Sequence, residues 1–417
     1  MYNLLAFADV LKSLGGIVLA VVILLVMVTV HEFGHYVAGK ILNFKINEFS
    51  VGFGPALWKK RSKKTGELFA VRLVPLGGYC AFDGEDEISE PETKTQELQT
   101  QAQQPFSEVV APEKTEETAE KPDGVLIEEK PETQTEKSLV ENEQEEYPEP
   151  TGVKFNDQAP WKRIIVLVAG ATMNYLLALL LIILTFATLG QPMYKIAEPR
   201  EGKTMAAEYE VGDVIERIDG QKLYMITDYM DAISDKKAGE TVTVTVIRGE
   251  NRVDLSITLQ EDANFVNMSD TSTLLGALGI DGLYTTTVRH GAIEVVGRSF
   301  AYSWRIGGMV LRSLGELLTG KIGLDSMGGP VTTITVTAQA ASSGMLQFLN
   351  IAALIGVNLA VFNLLPVPAL DGSKVVFCVI EWIRKKPINR NVEAIIHFIG
   401  IIVLFGFAIL VDILQLF

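Results

Sequence analysis

Four apolar runs divide the 417-residue chain, at about 15–38, 164–189, 346–368 and 393–416. A hydrophobic stretch of about 20 residues is long enough to cross the hydrocarbon core of a bilayer as a helix. The first run holds no charged residue before His31. It is also too long for a cleavable signal peptide and lacks the basic residues that precede one. We therefore expect four transmembrane helices.

The regions between these runs follow other patterns. Residues 45–82 contain FSVGFGPALW and ELFAVRLVPLGGYCAF on either side of the turn-like RSKKTG, which predicts paired strands. Residues 194–262 contain the alternating runs TVTVTVIRG and RVDLSITL, which predict a further β region. Residues 292–320 place arginines and a tryptophan among apolar residues, a pattern typical of an amphipathic helix on a membrane surface.

Lysine and arginine clusters near the ends of the apolar runs predict the orientation of the chain. They lie at 59–64, 162–163 and 384–390, and all three fall on one side of a four-helix arrangement. Cytoplasmic loops carry an excess of Lys and Arg. That side is therefore predicted to be cytoplasmic, while 190–345 and both termini face outward.

Acidic charge is concentrated in one segment. The chain has a formal net charge of −15, yet residues 83–150 alone hold 22 Asp and Glu against five Lys. A segment this polar, with two aromatic residues, cannot bury enough apolar surface to fold alone. We expect a solvated, disordered cytoplasmic insertion, with docking of a basic protein partner as the alternative. We expect no nucleic-acid partner.

The chemistry of the chain is concentrated in the first apolar run, at His31-Glu32-Phe33-Gly34-His35. Ionisable groups in a transmembrane helix are expensive, so they mark functional sites. Residues four apart lie on one face of a helix, so His31 and His35 can bind one zinc ion together. Glu32 then lies beside the metal as a candidate general base.

A tetrahedral catalytic zinc site needs a third protein ligand and leaves one position for water. Of the other two histidines, His290 lies in a polar stretch and is expected at the surface, while His397 is expected to be packed or to support a ligand. Asp371 is the better candidate, because it closes the segment Asn363–Gly372 (NLLPVPALDG). Two prolines break the helix there, which is tolerated at membrane depth only where protein or water satisfies the freed backbone groups.

These two motifs together resemble the site-2 protease family of intramembrane zinc metalloproteases, most closely its bacterial RseP-type branch. That family carries HExxH in its first transmembrane helix and N-x-x-P-x-P-x-L-D-G in its third, and both motifs stand intact in this chain. The resemblance implies that His31, His35 and Asp371 bind Zn²⁺ and that Glu32 is the catalytic base. It also implies that Asn363 positions the substrate or polarises the scissile carbonyl group.

The resemblance extends to the regions outside the two motifs. In the family, the region matching 41–82 is a β-structure that dips into the membrane beside the active site. Its strand edge would capture an unwound peptide, and a simple cytoplasmic hairpin is the alternative. Residues 194–262 resemble a PDZ domain through Val211–Gly220, although Ala207-Glu208 stands where the family usually has Ala-Gly. This domain is expected to exclude intact, bulky outer domains of substrates until a first protease trims them, and a structural lid that binds no peptide is the alternative.

The second apolar run contains a departure from the family pattern. Ala169–Asn174 resembles a motif that usually has proline at the position of Ala171. Asn174 is expected to form a hydrogen bond between helices, with contact to the site or the substrate as the alternative.

The expected fold is a polytopic α-helical membrane protein with about four transmembrane helices, a membrane-associated β region and one extracytoplasmic PDZ domain. The predicted segments, in order, are the first transmembrane helix with HEFGH (1–40), the β region (41–82), the acidic insertion (83–150), the second transmembrane helix (160–190), the PDZ domain (194–262), the amphipathic helix and connector (263–345), the third transmembrane helix with NLLPVPALDG (346–372), and a cytoplasmic loop with the fourth helix (373–417).

The function that follows from the resemblance is intramembrane proteolysis in a bacterial cell membrane. The active site would lie towards the cytoplasmic side, among membrane lipids. Substrates would be single-span membrane proteins already shortened by a first extracytoplasmic cleavage, such as anti-sigma factors or remnant signal peptides. One alternative is a catalytically silent scaffold acting through its PDZ domain, for which the zinc motif should be broken. Another is a metal transporter or sensor, which leaves Glu32 without a role.

Overall fold

The computed structural model describes residues 2–85, 147–198, 206, 208–265, 271–324 and 327–415. Nearly all of the predicted acidic insertion, 83–150, lies outside these residues.

The described residues form nine α-helices and eight strands. In chain order these are α1 (Tyr2–Ile41), β1 (Ile46–Arg61), β2 (Leu68–Phe82), α2 (Pro160–Thr188), β3 (Gln191–Ile196), β4 (Val214–Ile218), β5 (Gln221–Lys222), α3 (Ile226–Ile233), β6 (Thr241–Arg248), β7 (Asn251–Thr258), α4 (Thr271–Ala277), β8 (Leu283–Val288), α5 (Ala292–Leu318), α6 (Pro330–Ser343), α7 (Met345–Asn363), α8 (Asp371–Arg384) and α9 (Arg390–Leu414).

Four of the described helices are long and apolar enough to cross a membrane, in agreement with the four apolar runs. They are residues Leu14–Ile41 of α1 and the whole of α2, α7 and α9. The two proline residues after α7 end that helix at Asn363, and α8 begins at Asp371. The third apolar run is therefore shorter as a helix than its composition indicates, because its last residues form the break.

Small residues allow these helices to approach closely. A Cβ atom added to Gly34 of α1 would lie 2.5 Å from the carbonyl oxygen of Ala169 in α2. A Cβ atom on Gly356 of α7 would lie 2.9 Å from the Cβ of Ala178 in α2. Helix association inside a bilayer depends on such close packing. Because these glycines carry no side chain, the backbones of α1 and α7 can lie close to the backbone of α2.

A buried ionic group fixes α8 against α2. Arg163 Nη1 lies 2.7 Å from Glu381 Oε2, with both side chains about 5% exposed or less. Arg390, at the start of α9, lies 2.9 Å from the other oxygen of Glu381. Arg163 also donates to the Sγ of Cys378 at 3.2 Å. Buried charges need this degree of mutual satisfaction, so the three helices are locked in one arrangement.

The predicted strands near residues 45–82 are confirmed as the β1–β2 hairpin, which pairs antiparallel. Residues 46–51 pair with 78–82, and 48–51 also pair with 68–71. Residues 78–82 thus lie at an edge of this small sheet, since no other described strand pairs with them. We call residues 78–82 the hairpin edge.

Glu67 attaches the hairpin to the end of α1. Its buried carboxylate accepts hydrogen bonds from the hydroxyl of Tyr36 at 3.1 Å and from Nζ of Lys40 at 2.6 Å. Tyr36 follows His35 directly in the sequence. The hairpin is therefore held on the same helical turns that carry the histidine motif.

A second sheet follows α2 and has the strand order β7-β6-β4-β3-β8, with β5 paired to β4. Its core contains Ile215, Tyr229, Val244 and other buried apolar residues. The sheet runs past the predicted end of the β region at residue 262, because β8 pairs with β3 along its whole length. We call residues 191–288 the sheet domain.

The predicted amphipathic helix is α5, and it packs against two membrane-capable helices. Ile306 and Val310 lie in one buried cluster with Ala178 of α2 and Val357 of α7. This helix is therefore a wall of the helical bundle as well as an amphipathic element.

Its polar face is joined to the sheet domain by a buried ion pair. Arg298 donates from Nη2 to Glu216 of β4, and their side chains are 1% and 0% exposed. Arg298 also donates to Glu294 at 2.8 Å and to Gln191 at 3.2 Å. Removing one partner of such a buried pair strongly destabilises the fold, because the other charge is left buried alone. The pair therefore holds α5 against the sheet domain.

Two further arginines extend this contact along α5. Arg305 donates to Asp228, and Arg312 donates to both oxygens of Asp231 at 2.9 and 3.0 Å. With Arg298 they are spaced seven residues apart, or about two helical turns. We call the three the arginine stripe; each of them has an acidic partner in the sheet domain.

The expectation that His290 lies at the surface is wrong. Its side chain is 3% exposed, with Nδ1 3.7 Å from Glu294 Oε1. The polar stretch around it leads into α5 at the point where that helix meets the sheet domain. The interface buries a residue that local polarity placed in solvent.

We predict that Glu216→Gln destabilises the sheet domain by about 3 kcal/mol, because Arg298 would remain buried without its counter-charge. Hydrogen–deuterium exchange of the β4 and β6 amides in the intact protein measures this free energy. Asp254→Asn, on an exposed position of the same sheet, is the control and should leave exchange almost unchanged. Equal exchange in the wild type and Glu216→Gln would contradict the assignment.

The same pair predicts a pH dependence. Burial alone would raise the pKa of Glu216, but the hydrogen bond from Arg252 and the charge of Arg298 hold its pKa below the usual 4.5. A carboxylate with a lowered pKa stabilises the folded state above its ordinary pKa, and this is lost as the pH falls through the folded-state pKa. The wild type should therefore approach the stability of Glu216→Gln well below pH 4.5. An unchanged difference at low pH would contradict this.

Candidate metal centre

Two helix segments from distant parts of the chain meet at the candidate site. His31 and His35 lie one helical turn apart on α1, and both are buried. Asp371 is the first residue of α8, where a negative charge is favoured by the helix dipole. The break before it includes Ala369 at a φ of +83°. A Cβ at Gly372 would collide with the carbonyl oxygens of Leu364 and Leu365, so the motif's final glycine is required by the tight turn.

The three side chains converge on one point. His31 Nε2 and His35 Nε2 lie 3.0 and 3.3 Å from Asp371 Oδ2, and the two Nε2 atoms are 3.1 Å apart. Among the residues described, this set brings two imidazole nitrogens and a carboxylate oxygen within 4.8 Å of one another. Zinc takes such nitrogen and oxygen ligands, and three protein ligands with an open fourth position typify its catalytic sites.

The backbone of α2 fixes the orientation of His35. Its Nδ1 donates to the carbonyl oxygen of Val166 at 2.8 Å. A ring hydrogen bond of this kind sets the tautomer and leaves the other nitrogen free as a ligand. His35 Nε2 is therefore directed at the point where Asp371 and His31 meet.

Two asparagines contact His31. The side-chain amides of Asn174 and Asn363 each lie 3.4 Å from His31 Nδ1. The Oδ1 of Asn174 is buried and has no hydrogen-bond partner within the described residues. An amide's oxygen and nitrogen are nearly alike in shape, so turning this amide by half a turn lets the oxygen accept from His31 Nδ1–H. The orphaned oxygen is then satisfied, and His31 Nε2 remains free to bind a metal.

Gly170 of α2 leaves the space that the two rings occupy. A Cβ atom at this position would collide with Nε2 of His35 and lie 2.8 Å from Cε1 of His31. The ligand nitrogens are therefore packed against bare backbone. Together with the ligand geometry and the two ring-orienting contacts, this shows that the residues present fit a zinc ion.

Glu32 contacts the hairpin edge. Its carboxylate lies near the backbone N–H of Cys80. A Cβ on Gly78 would be only 3.4 Å from Cγ of Glu32, so a larger residue there would press on the carboxylate. The candidate base thus adjoins both the metal-binding cluster and the edge of a sheet.

The structure brings together all five predicted site residues, namely His31, Glu32, His35, Asn363 and Asp371. His397 lies outside the cluster and accepts a hydrogen bond from the backbone N–H of Ala369 at 3.2 Å, which suits the expected supporting role. Asn174 forms the expected contact between helices, and because its partner is His31 of α1, the same contact also reaches the site.

Sequence reasoning missed two parts of the site. Gly170 lies in the Ala169–Asn174 motif, directly before Ala171, which stands where the family usually has proline. This glycine was the available signal. The Val166 carbonyl group had no signal, because every residue carries one.

Two histidines and a glutamate on a helix able to cross a membrane, joined by a carboxylate from a distant helix, are the arrangement of a membrane metalloprotease. The chain belongs to peptidase family M50, whose family model matches residues 19–407. The protein is thus a zinc metalloendopeptidase of the site-2 protease type, and zinc is its cofactor.

Curated relatives resemble the chain over nearly its full length. The regulator of sigma-W protease RasP of Bacillus subtilis is 28% identical over 408 residues, covering 90% of this chain and 92% of that protein. The zinc metalloprotease RasP of Geobacillus kaustophilus is 28% identical over 414 residues, covering 93% and 94%. Among solved structures, the PDZ domain of an SdrC-like protein from Listeria monocytogenes matches 18% of this chain and 78% of its own, at 23% identity and a TM-score of 0.16.

We predict that Gly170→Ala lowers zinc affinity by about 10- to 100-fold, the range typical for disturbing groups that orient ligands. The added methyl group displaces both histidine rings. Zinc content of the purified protein, measured by elemental analysis after dialysis against a chelator series, tests this. Leu176→Ala, exposed on the same helix, should bind zinc as the wild type does. Normal zinc retention in Gly170→Ala would rule out the close packing.

Proposed function

We propose that His31, His35 and Asp371 hold the zinc ion and that Glu32 is the general base of an intramembrane endopeptidase. The observation that carries this proposal is the convergence of Asp371 on the two histidines, across 340 residues of sequence. A chance HExxH pattern gives no reason for a distant carboxylate to meet both rings.

The division of labour follows from the contacts of each group. When bound, zinc polarises the substrate carbonyl group and lowers the pKa of its water to about 7. The Glu32 carboxylate takes a proton from the attacking water and passes it to the leaving amine nitrogen. The backbone N–H of Cys80, which lies near Glu32, is placed to orient that carboxylate. Asn363, at the end of α7, is placed to hold the substrate's carbonyl group or to support His31.

The hairpin edge supplies a way to hold the substrate extended. A transmembrane substrate arrives as a helix whose backbone hydrogen bonds are internal, so it must unwind before a peptide bond is exposed. An unpaired strand edge can bind the unwound segment by main-chain hydrogen bonds. Because Gly78 and Cys80 contact Glu32, a strand added at this edge would pass the catalytic base.

The proposed substrates are single-span membrane proteins that another protease has already shortened outside the membrane. The name of the B. subtilis relative, regulator of sigma-W protease, supports anti-sigma factors as one class, with remnant signal peptides as a second. The bacterial origin of the relatives supports a bacterial cell-membrane location. The Lys and Arg distribution supports a site towards the cytoplasm, with the sheet domain, interpreted as a PDZ domain, outside.

The decisive test is cleavage of a model transmembrane substrate by the purified protein. Glu32→Gln should retain zinc and lose about 10²- to 10⁴-fold in rate, the usual contribution of a general base. Asp371→Ala should lose both the zinc ion and the cleavage activity. Glu250→Gln, an exposed carboxylate in a sheet-domain turn, should behave as the wild type. Full cleavage by Glu32→Gln would reject the proposed base, and absence of cleavage by the wild type would favour the silent scaffold.

We further propose that the sheet domain excludes substrates whose outer domains have not been trimmed, and a second test addresses this exclusion. Arg312→Asp places a second negative charge opposite Asp231 and should weaken the attachment of the sheet domain to α5. Exposed ion pairs contribute about 1 kcal/mol at most, so cleavage of a substrate with a folded outer domain should rise roughly two- to fivefold.

Two comparisons make this test specific. The double variant Arg312→Asp/Asp231→Arg restores the pair with reversed polarity and should restore exclusion, while a pre-trimmed substrate should be cleaved equally by all variants. A uniform change for both substrates would show that the pair does not control access.

A further inference from the structure

A hollow of about 390 Å³ lies between α2, α5 and α7. Tyr175 of α2, Gly308 and Leu311 of α5, and Val361 and Leu364 at the end of α7 contribute to its walls. Both α2 and α7 can cross a membrane. None of the residues assigned to metal binding, proton transfer or substrate positioning lines it.

The hollow adjoins the metal centre. Three of its lining residues are Ala171, Tyr175 and Leu364. Each of them directly follows in sequence a residue that lies against His31 or His35. Those preceding residues are Gly170, Asn174 and Asn363. The hollow therefore occupies the next face of the same helical turns that surround the site. Along the chain, a single residue step separates these parts of the wall from the residues that lie against His31 and His35.

The walls favour an apolar occupant. Apart from Thr172, the polar side chains in the lining are Tyr175, Ser303 and the partly apolar Trp304. The hydroxyl groups of Tyr175 and Ser303 already satisfy each other at 2.9 Å. A polar group entering the hollow would lose water and gain few partners, which costs free energy. Apolar lining with a few fixed polar groups is typical of a binding pocket.

The glycines of α5 determine its size. Gly307 packs towards Val361, with its added Cβ 3.7 Å from Cγ2, whereas a Cβ on Gly308 would meet nothing within 4 Å. A whole helix with side chains is about 10–12 Å across, so the hollow suits one or two side chains of an unwound segment. The side chain missing at Gly308 keeps that space open.

We propose that this hollow is a specificity subsite, which receives a large apolar side chain of the substrate next to the peptide bond that is cleaved. The inference rests on the proposed function and adds a sequence preference to it. Proximity to the metal centre favours the substrate over a lipid acyl chain, because three lining residues directly follow residues that lie against His31 or His35.

The test uses the glycines of α5. Gly308→Leu places a side chain into open space and improves helix propensity, so the helix should form normally. Gly315→Leu is the matched control, because a Cβ there also meets nothing within 4 Å and the residue lies outside the hollow. Both purified variants are assayed on a model transmembrane substrate in which each residue flanking the cleavage site is, in turn, Ala, Leu or Phe.

At one flanking position, the wild type and Gly315→Leu should cleave the Leu or Phe substrate about tenfold faster than the Ala substrate, the discrimination that a hydrophobic pocket gives for a small change in size. Gly308→Leu should lose that preference and still cleave the Ala substrate at the wild-type rate. Equal loss on all substrates, as expected for a displaced lipid, would overturn the proposal. So would a wild type without any preference.

A cross-linking experiment locates the occupant independently of turnover. In the Glu32→Gln background, Leu311→Cys should form a disulfide with a cysteine at the preferred substrate position under mild oxidation, whereas Leu318→Cys, exposed at the end of the helix, should not. Equal cross-linking at both positions would overturn the subsite. Loss of the subsite with Glu32 still essential would leave the proposed protease intact, while full activity of Glu32→Gln would reject the protease mechanism itself.

Discussion

A polar group inside an apolar helix bundle must find its partners within the protein, because lipid offers none. The candidate metal centre follows this constraint at each atom. His35 donates to the Val166 carbonyl group, and His31 is reached by the amides of Asn174 and Asn363. Each contact leaves one ring nitrogen directed at Asp371. The interactions that make the histidines tolerable in the bundle are therefore the same ones that prepare them to bind zinc.

Close helix packing is what makes these contacts geometrically available. Gly34, Gly170 and Gly356 each remove a side chain where two helices meet, and the buried pair of Arg163 and Glu381 then fixes α8 against α2. The position of Asp371 is set by this ionic lock as much as by the prolines before it. The site is thus assembled by backbone approach and by buried charge, beside an apolar cluster that includes Val166, Leu167 and Cys378.

The residues that carry the chemistry could be predicted from the sequence more fully than the packing of the elements around them. The spacing of HEFGH and the Asp at the helix break carry their meaning in residue identity, so His31, His35, Glu32 and Asp371 could be proposed before any coordinates. The four apolar helices and the β1–β2 hairpin followed from length and alternation. The return of β8 to β3, the burial of His290 and the contact of Asn174 with His31 depend on which elements meet, and no local pattern specifies that.

The distance between the two halves of the site has a consequence for biosynthesis. His31 and Asp371 are 340 residues apart, and Asp371 becomes part of the cluster only when α8 packs on α2. A ribosome-bound chain that has inserted its first two helices already displays both imidazoles and the glutamate, yet lacks the carboxylate proposed as the third ligand. The enzyme cannot mature until translation is almost complete, so truncated or stalled products enter the bilayer without a working protease centre.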